Sequence, residues 1–360
     1  MYQGRTLAAL AAEIDRQSKS KRDFVASTSA LSFDVEPVNN GDKPTPPRLV
    51  IPGQSTAFPV LAHAHGQIAS HLDIPKKYYD RMLSDQPGLL ALNVNTWFGR
   101  DGNRVRRMVR TLDGNARAFL SDRFQPFDND LIAEAALETL HDVAPSMQIQ
   151  SCELTATRLY IKASFPTIQR EVKKGDVVES GVLISNSEVG AGAVDIAPFS
   201  TRLVCLNGMK HTDYGLRRNH VGRVTEGQDG AEIFASDTLR ADAKAFLLKL
   251  RDTIRATVSE DQFAKIVERM SESAGEKLEG NPVQAVEVLT RRLNLSEGEK
   301  GGVLRHLIEG GDLSRWGVAN AITRAAQDAG DYDRATDLEA IGGKVLELPR
   351  EHWREIAIAA

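Results

Sequence analysis

Two stretches of this 360-residue chain concentrate cations at a density suited to binding a polyanion. From Trp97 to Arg123 the chain places Arg100, Arg104, Arg106, Arg107, Arg110, Arg117 and Arg123 against Asp101, Asp113 and Asp122. From Ser200 to Arg223 it places Arg202, Lys210, Arg217, Arg218 and Arg223 against Asp213 alone. Each stretch carries a net +4, whereas the whole chain carries −4. Clustered positive charge repels itself unless an anion approaches, so an acidic body with two cationic stretches predicts a localised anion site. The alternative is that acidic neighbours neutralise each stretch. Trp97, Phe98, Phe119 and Phe124 stand among the arginines, and aromatic faces interleaved with cations are what single-strand binders use to stack unpaired bases. Trp97 is the best placed of them, beside a glycine-containing turn expected at Phe98-Gly99-Arg100-Asp101-Gly102. The expected interface is therefore Trp97 with the twelve cations named above.

Other chemistry is scarcer. No GxxxxGK followed by Ser or Thr is present to cradle a nucleoside triphosphate. The run Gly190-Ala191-Gly192-Ala193-Val194-Asp195 has Asp where a dinucleotide fingerprint needs its third glycine, and is discounted. HExxH, paired CxxC and GxSxG are absent. His63, His65 and His71 share an expected helix, but a spacing of two turns His63 and His65 about 200° apart, which disfavours a shared ion. A metal-dependent nuclease would draw on Asp122, Asp128 and Asp130 and on Glu171-Val172-Lys173, half of an ExK pattern whose other half is not evident; Asp128 and Asn129 read more simply as a helix cap. No metal or cofactor is expected, and a binder is favoured over an enzyme. Two cysteines, Cys152 and Cys205, are too few for a disulfide framework and read as buried thiols of a reducing compartment. With 41% hydrophobic and 26% charged residues and no membrane-length apolar run, a folded cytoplasmic protein without a membrane partner is expected.

The elements that must hold these residues follow from periodicity. A helix around Leu7, Leu10, Ala11 and Ile14 leads to a strand at Phe24 and Val25. Residues 38–48, rich in proline and turn formers, read as a loop, and 58–83 as two helices divided at Pro75. Asp113-Gly114 between β-rich runs predicts a hairpin, and a helix is expected from Leu131 to Leu140. Strands are expected at Gln148–Ala156, Arg158–Phe165, Val177–Ser185, Gly192–Ile196 and Arg202–Leu206, with Asn207-Gly208 as a turn. Beyond a polar loop at 225–230, a helix capped by Ser236 or Asp237 aligns Leu239, Phe246, Leu250 and Ile254 on one face. Arg240, Lys244, Arg251 and Arg255 edge that face. The fold class is α+β: a twisted, mostly antiparallel sheet with flanking helices, followed by a C-terminal helical module. The expected division is 1–235 for the α+β core, 236–280 for the long helix and linker, and 281–360 for the helical module.

Several strings, NVNTWF, RAFLSDRFQPFDN, SNSEVGAGAV, RLVCLNGM and the C-terminal WGVANAITRAAQDAGDYDRATDLEAIGGKVLELPREHW, resemble the phage/plasmid-like proteins of domain of unknown function family 932. The resemblance covers nearly the whole chain, with Phe124 where the family pattern has Tyr. It implies a passenger of phages, plasmids or mobile elements, and it brings no catalytic residues with it. With a basic hairpin and no ATP site, this context leads to an expected function of nucleic-acid binding, specifically ATP-independent single-strand DNA annealing in recombination by a possible homo-oligomer. The alternatives are an accessory or anti-defence factor that binds protein through its C-terminal helices, and the metal-dependent nucleic-acid enzyme.

Overall fold

A computed structural model describes residues 1–36, 45–101, 105–220 and 236–358, without the side chains of 236, 237, 239 and 240. Arg104, Arg223, most of the 38–48 loop, the 225–230 loop and the capping and stripe side chains at 236, 237, 239 and 240 lie outside the described residues. The chain opens on α1 (Leu7–Ser20) and β1 (Arg22–Ser27), then the short strands β2 (Ser32–Asp34), β3 (Arg48–Val50) and β4 (Phe58–Pro59). Three helices follow, α2 (Ala62–His71), α3 (Lys76–Asp85) and α4 (Pro87–Asp101). The hairpin β5 (Arg106–Leu112) and β6 (Asn115–Ser121) leads to α5 (Asn129–Val143). Next come β7 (Gln148–Leu154), β8 (Leu159–Lys173), β9 (Asp176–Asn186), β10 (Val194–Arg202), β11 (Asn207–Lys210) and β12 (Leu216–Arg218). The rest is helical: α6 (Ser236–Thr257), α7 (Glu260–Gly275), α8 (Pro282–Leu293), α9 (Glu297–Gly310), α10 (Arg315–Ala325), α11 (Tyr332–Glu347) and α12 (Arg350–Ala357).

The fold is α+β. Its main sheet is an antiparallel meander in the order β11-β10-β9-β8-β7, with β12 added to β10. One face buries Ile161, Ala163, Val182, Ile184 and Ile196 against Leu140 of α5 and Phe246, Leu250 and Ile254 of α6. The same apolar cluster runs on into the C-terminal helices through Trp316, Ile322, Leu338 and Val345, so those helices pack on the sheet. On the other face Tyr160, Leu183 and Phe199 meet Tyr332 of α11, and the buried Lys162 of β8 donates to Glu339 of α11 at 2.5 Å. A second apolar cluster forms from the N-terminal elements, where Phe33, Ile68, Tyr79, Met82, Leu90, Val94 and Phe98 enclose Val109 and Phe119 of the hairpin.

Two local expectations are corrected. Trp97 to Asp101 is not a turn but the last part of α4, because Leu90, Val94 and Phe98 recur every four residues and anchor one face in the N-terminal cluster. The strand expected at Arg202–Leu206 is not formed: Arg202 ends β10 and the turn is at 203–206, closed by Leu206 N–H to Arg202 O at 2.8 Å, with Leu206 at φ 53°. Asn207 begins β11 instead of a turn because its buried amide donates to Asn320 and Thr323 of α10, a tertiary contact that overrides local turn preference. Among the described residues no helix is long and apolar enough to cross a membrane.

Candidate nucleic-acid interface

The Asp113-Gly114 hairpin forms as expected, both residues taking positive φ (50° and 74°), which matches a tight turn to the twist of its strands. Alternation along β5 and β6 then decides where the arginines go. Arg110 is 1% exposed. Its Nε donates to Asp23 at 2.9 Å, Nη1 to the Glu188 carbonyl at 3.0 Å and Nη2 to Asp128 at 2.7 Å. Arg117 donates to Glu188 Oε2 at 2.5 Å. Lys21, leaving α1, reaches Asp128 (2.9 Å), Asp130 (3.3 Å) and Glu188 (3.4 Å). Burial would raise the Asp128 carboxyl, yet Arg110 and Lys21 hold it below its ordinary value; burial opposes the Lys21 charge, yet Asp128 and Glu188 hold that ammonium above its own. Asp128, Asp130 and Glu188 lie close enough to share a cation, and the Lys21 ammonium bonds to all three.

Asp128 occupies the N-cap position of α5 in backbone geometry, but its side chain makes no capping bond because it serves this ionic seam. Glu188 takes the Asn129 N–H in its place, at 2.7 Å. The other residues of the metal-site alternative are not brought here. Asn186, which donates to Phe127 O and Asn129, closes one end of the β8–β9 ladder, whereas Glu171 and Lys173 sit at the opposite end, with Lys173 paired to Asp312 at 2.6 Å. The three histidines also separate: His63 bonds the Val189 carbonyl, His65 the Tyr79 hydroxyl and His71 the Asp101 carboxylate.

The second cationic stretch is paired in the same way. Arg202 makes a two-pronged contact with Asp176 (2.6 and 2.9 Å), Lys210 pairs with Asp195, and Arg218 pairs with Asp242 over the rings of Phe127 and Phe246. Arg107 is half-buried beside His71 and Phe119, and burial pushes its guanidinium below the ordinary value. Arg100 stacks on Trp97 at 4.9 Å, both exposed on α4, and Arg106 is exposed at the start of β5. The expected interface is therefore corrected: Arg110, Arg117, Arg202, Lys210 and Arg218 are taken up by carboxylates of the same chain.

Of the exposed arginines, Arg123 and Arg217, one from each stretch, line one cavity. After β6 a turn held by Phe124 N–H to Ser121 O (3.0 Å) presents Arg123. On β12, alternation turns Arg218 inward and Arg217 outward, opposite Asp195 of β10. Both line a cavity of about 480 Å³ with Phe124, His220 and residues 190–193. Among the described residues neither forms an ion pair. The 187–193 loop is fixed from several sides: Val189 O accepts His63 and Gln67, Ala191 N–H donates to Ser187, and Arg158 donates to Ala191 O at 2.7 Å. Gly190 takes φ 75°, and a Cβ there would lie 2.6 Å from Leu120, so glycine lets the loop close on β6. Phe124 and His220 stack at 4.8 Å and 11°. Burial depresses the His220 pKa, and its Nδ1 bonds Gln125 O at 3.1 Å.

The family described as Domain of unknown function (DUF932) matches residues 118–342. The chain belongs to the DUF932 family. No curated protein and no solved structure matches it. The DUF932 span starts inside β6 and ends in α11, so it contains every residue lining the cleft. The ionic seam crosses its boundary: Lys21, Arg110 and Arg117 precede residue 118, and Asp128, Asp130 and Glu188 follow it. Sequence reasoning missed Gly190 to Ala193 and His220 as cleft residues and treated Phe124 as one ring among four. The signal available for the loop and for Phe124 was their place in SNSEVGAGAV and RFQPFDN, two of the family-like strings.

Proposed function

We propose that this DUF932 chain is a nucleic-acid-binding protein of a phage or mobile element that holds single-stranded DNA at the Arg123–Arg217 cleft and anneals strands without ATP. The observation that carries the reading is that the open arginines of two separate cationic stretches converge on one cavity with an aromatic wall. Guanidinium groups suit phosphate oxygens, and a ring beside them suits an unpaired base. Fluorescence anisotropy of a labelled single strand at two ionic strengths tests it. Affinity is expected to fall with salt at about 0.7 in log–log slope per phosphate contact, and the Arg123→Ala/Arg217→Ala double variant to lose about 1.4 of that slope. Salt-independent binding, or a slope unchanged in the double variant, overturns the reading.

One observation favours a protein-binding accessory role instead, though on α4 and not on the C-terminal helices expected to carry it: α4 turns Leu89, Leu92 and Trp97 to solvent, Leu92 with 65% of its surface exposed, and exposed apolar residues grouped on one helix suit a protein partner. A host protein retained by the wild-type chain without nucleic acid, and lost on Leu92→Asp, would select it.

A further inference from the structure

A second cavity, about 320 Å³, adjoins the cleft, and Gly192, Ala193 and Arg217 line both. It opens between β10 and α11, within the size range of about 300–1,000 Å³ usual for small-ligand sites. Two of its four cations are matched, Lys210 by Asp195 and Arg158 by Asp337 at 3.6 Å, while Arg217 and the exposed Lys344 have no ion pair among the described residues. Ser185 and Thr336 add hydroxyls to the lining. Thr336 is 5% exposed, and its Oγ1 is buried with no hydrogen-bond partner among the described residues. Helical threonines commonly return the hydroxyl to the carbonyl four residues back, as Thr290 of α8 does to Val286 O at 2.7 Å; Thr336 does not. A buried hydroxyl left unpaired is a cost to the free protein, and such groups in native structures usually have a partner.

Resting on the strand-binding reading above, we infer that this second cavity reads one base of the bound strand, with the Thr336 hydroxyl bonding the base edge. Arg217, common to both cavities, holds the phosphate that joins this base to the one at Phe124. A heterocycle with donors and acceptors matches the hydroxyls and the two matched ion pairs of this lining, while the phosphates keep to the unpaired Arg217 and Lys344. The cleft thus supplies affinity and the adjoining cavity supplies base preference.

The test is anisotropy on the full chain with short dA, dC, dG and dT homopolymers at low and moderate salt, with thermal melting of the same samples. The wild type is expected to prefer one homopolymer by about threefold to tenfold, the worth of roughly one hydrogen bond. Thr336→Val should erase that preference with the salt slope intact and with a melting midpoint no lower than wild type, since an unpaired buried hydroxyl is removed. Thr336→Ser should restore the preference, and Ser185→Ala should weaken it. A wild type without preference, or Thr336→Val and Ser185→Ala variants that keep it, overturns the base-reading cavity and leaves strand binding standing. A wild type that binds no homopolymer even at low salt overturns the strand-binding reading itself.

Discussion

Arg110 and Arg117 carry the same group as Arg123 and Arg217, and three of these four come from one cationic stretch, yet the two pairs have opposite fates. The first pair points into the seam between the N-terminal elements and the DUF932 sheet, where Asp23, Asp128 and Glu188 meet it. The second pair lines a cleft with glycine and alanine, and the carboxylate opposite Arg217, Asp195, is taken by Lys210, so neither arginine is in an ion pair among the described residues. The two sequence stretches carry the same net +4, and that has no bearing on which cation is free. What decides is the strand face a residue occupies and which chain segment crosses opposite it. The buried set is neutralised within the fold, and the open set keeps its charge facing solvent.

Breaking the seam is expected to produce the largest effect. Glu188→Ala leaves the buried Arg117 guanidinium without its carboxylate, and removing one partner of a buried pair costs about 3–5 kcal/mol; chemical denaturation should show a loss of that size, and a smaller one for Arg110→Ala, after which Lys21 still pairs with Asp128. An Arg110→Ala protein as stable as wild type would remove the distinction between the two regions. The cleft should respond in reverse. Arg123→Ala and Arg217→Ala are surface changes expected to shift stability by no more than about 0.5 kcal/mol, while each lowers the salt slope of strand binding by about 0.7. A third outcome follows from the seam's titration. Because the folded-state pKa of Asp128 lies below its ordinary 3.8, its contribution is complete above that value and is lost as pH falls through the lower folded value. Asp128→Asn should therefore flatten the acid limb of a stability–pH curve, whereas the cleft variants leave that limb unchanged.

The α+β class, the hairpin turn, the α2–α3 break at Pro75 and most main-sheet strands were legible because each rests on local periodicity or turn chemistry. The charge census was legible too, but its partition was not. Arg110 lies 87 residues from Asp23 and 78 from Glu188 in sequence, and no periodicity encodes which loop crosses which strand. Arg217 and Arg218 show what could have been read: neighbours on a strand must face opposite ways, so one of them had to be the weaker candidate. Misplacing Asn207-Gly208 has the same origin, since a buried contact with α10 outweighs the turn preference of the dipeptide. The glycine-alanine loop was set aside for failing one nucleotide motif, although small residues at 190–193 also serve any cleft that must let a backbone come close.

His220 provides the smallest and sharpest test, because it belongs to both regions. Its ring stacks on Phe124 in the cleft, while burial, with Arg110 adding to it, keeps its pKa below the ordinary 6.5. A histidine open to the ligand would gain charge near pH 6.5 and tighten the hold on a polyanion as the solution is acidified. His220 should instead stay neutral there, so the difference in strand affinity between wild type and His220→Gln should not change between pH 8 and pH 6.5 at fixed ionic strength. Stability should move in the other direction. With the folded pKa depressed, the unfolded chain takes up the proton first, so this contribution is full above 6.5 and declines as pH falls below it. His220→Gln should remove that part of the decline. An NMR titration placing the His220 pKa at or above 6.5, together with affinity that rises on acidification, would show that the ring belongs to the ligand and not to the fold, and the line between buried structure and open cleft would then have to be drawn behind it.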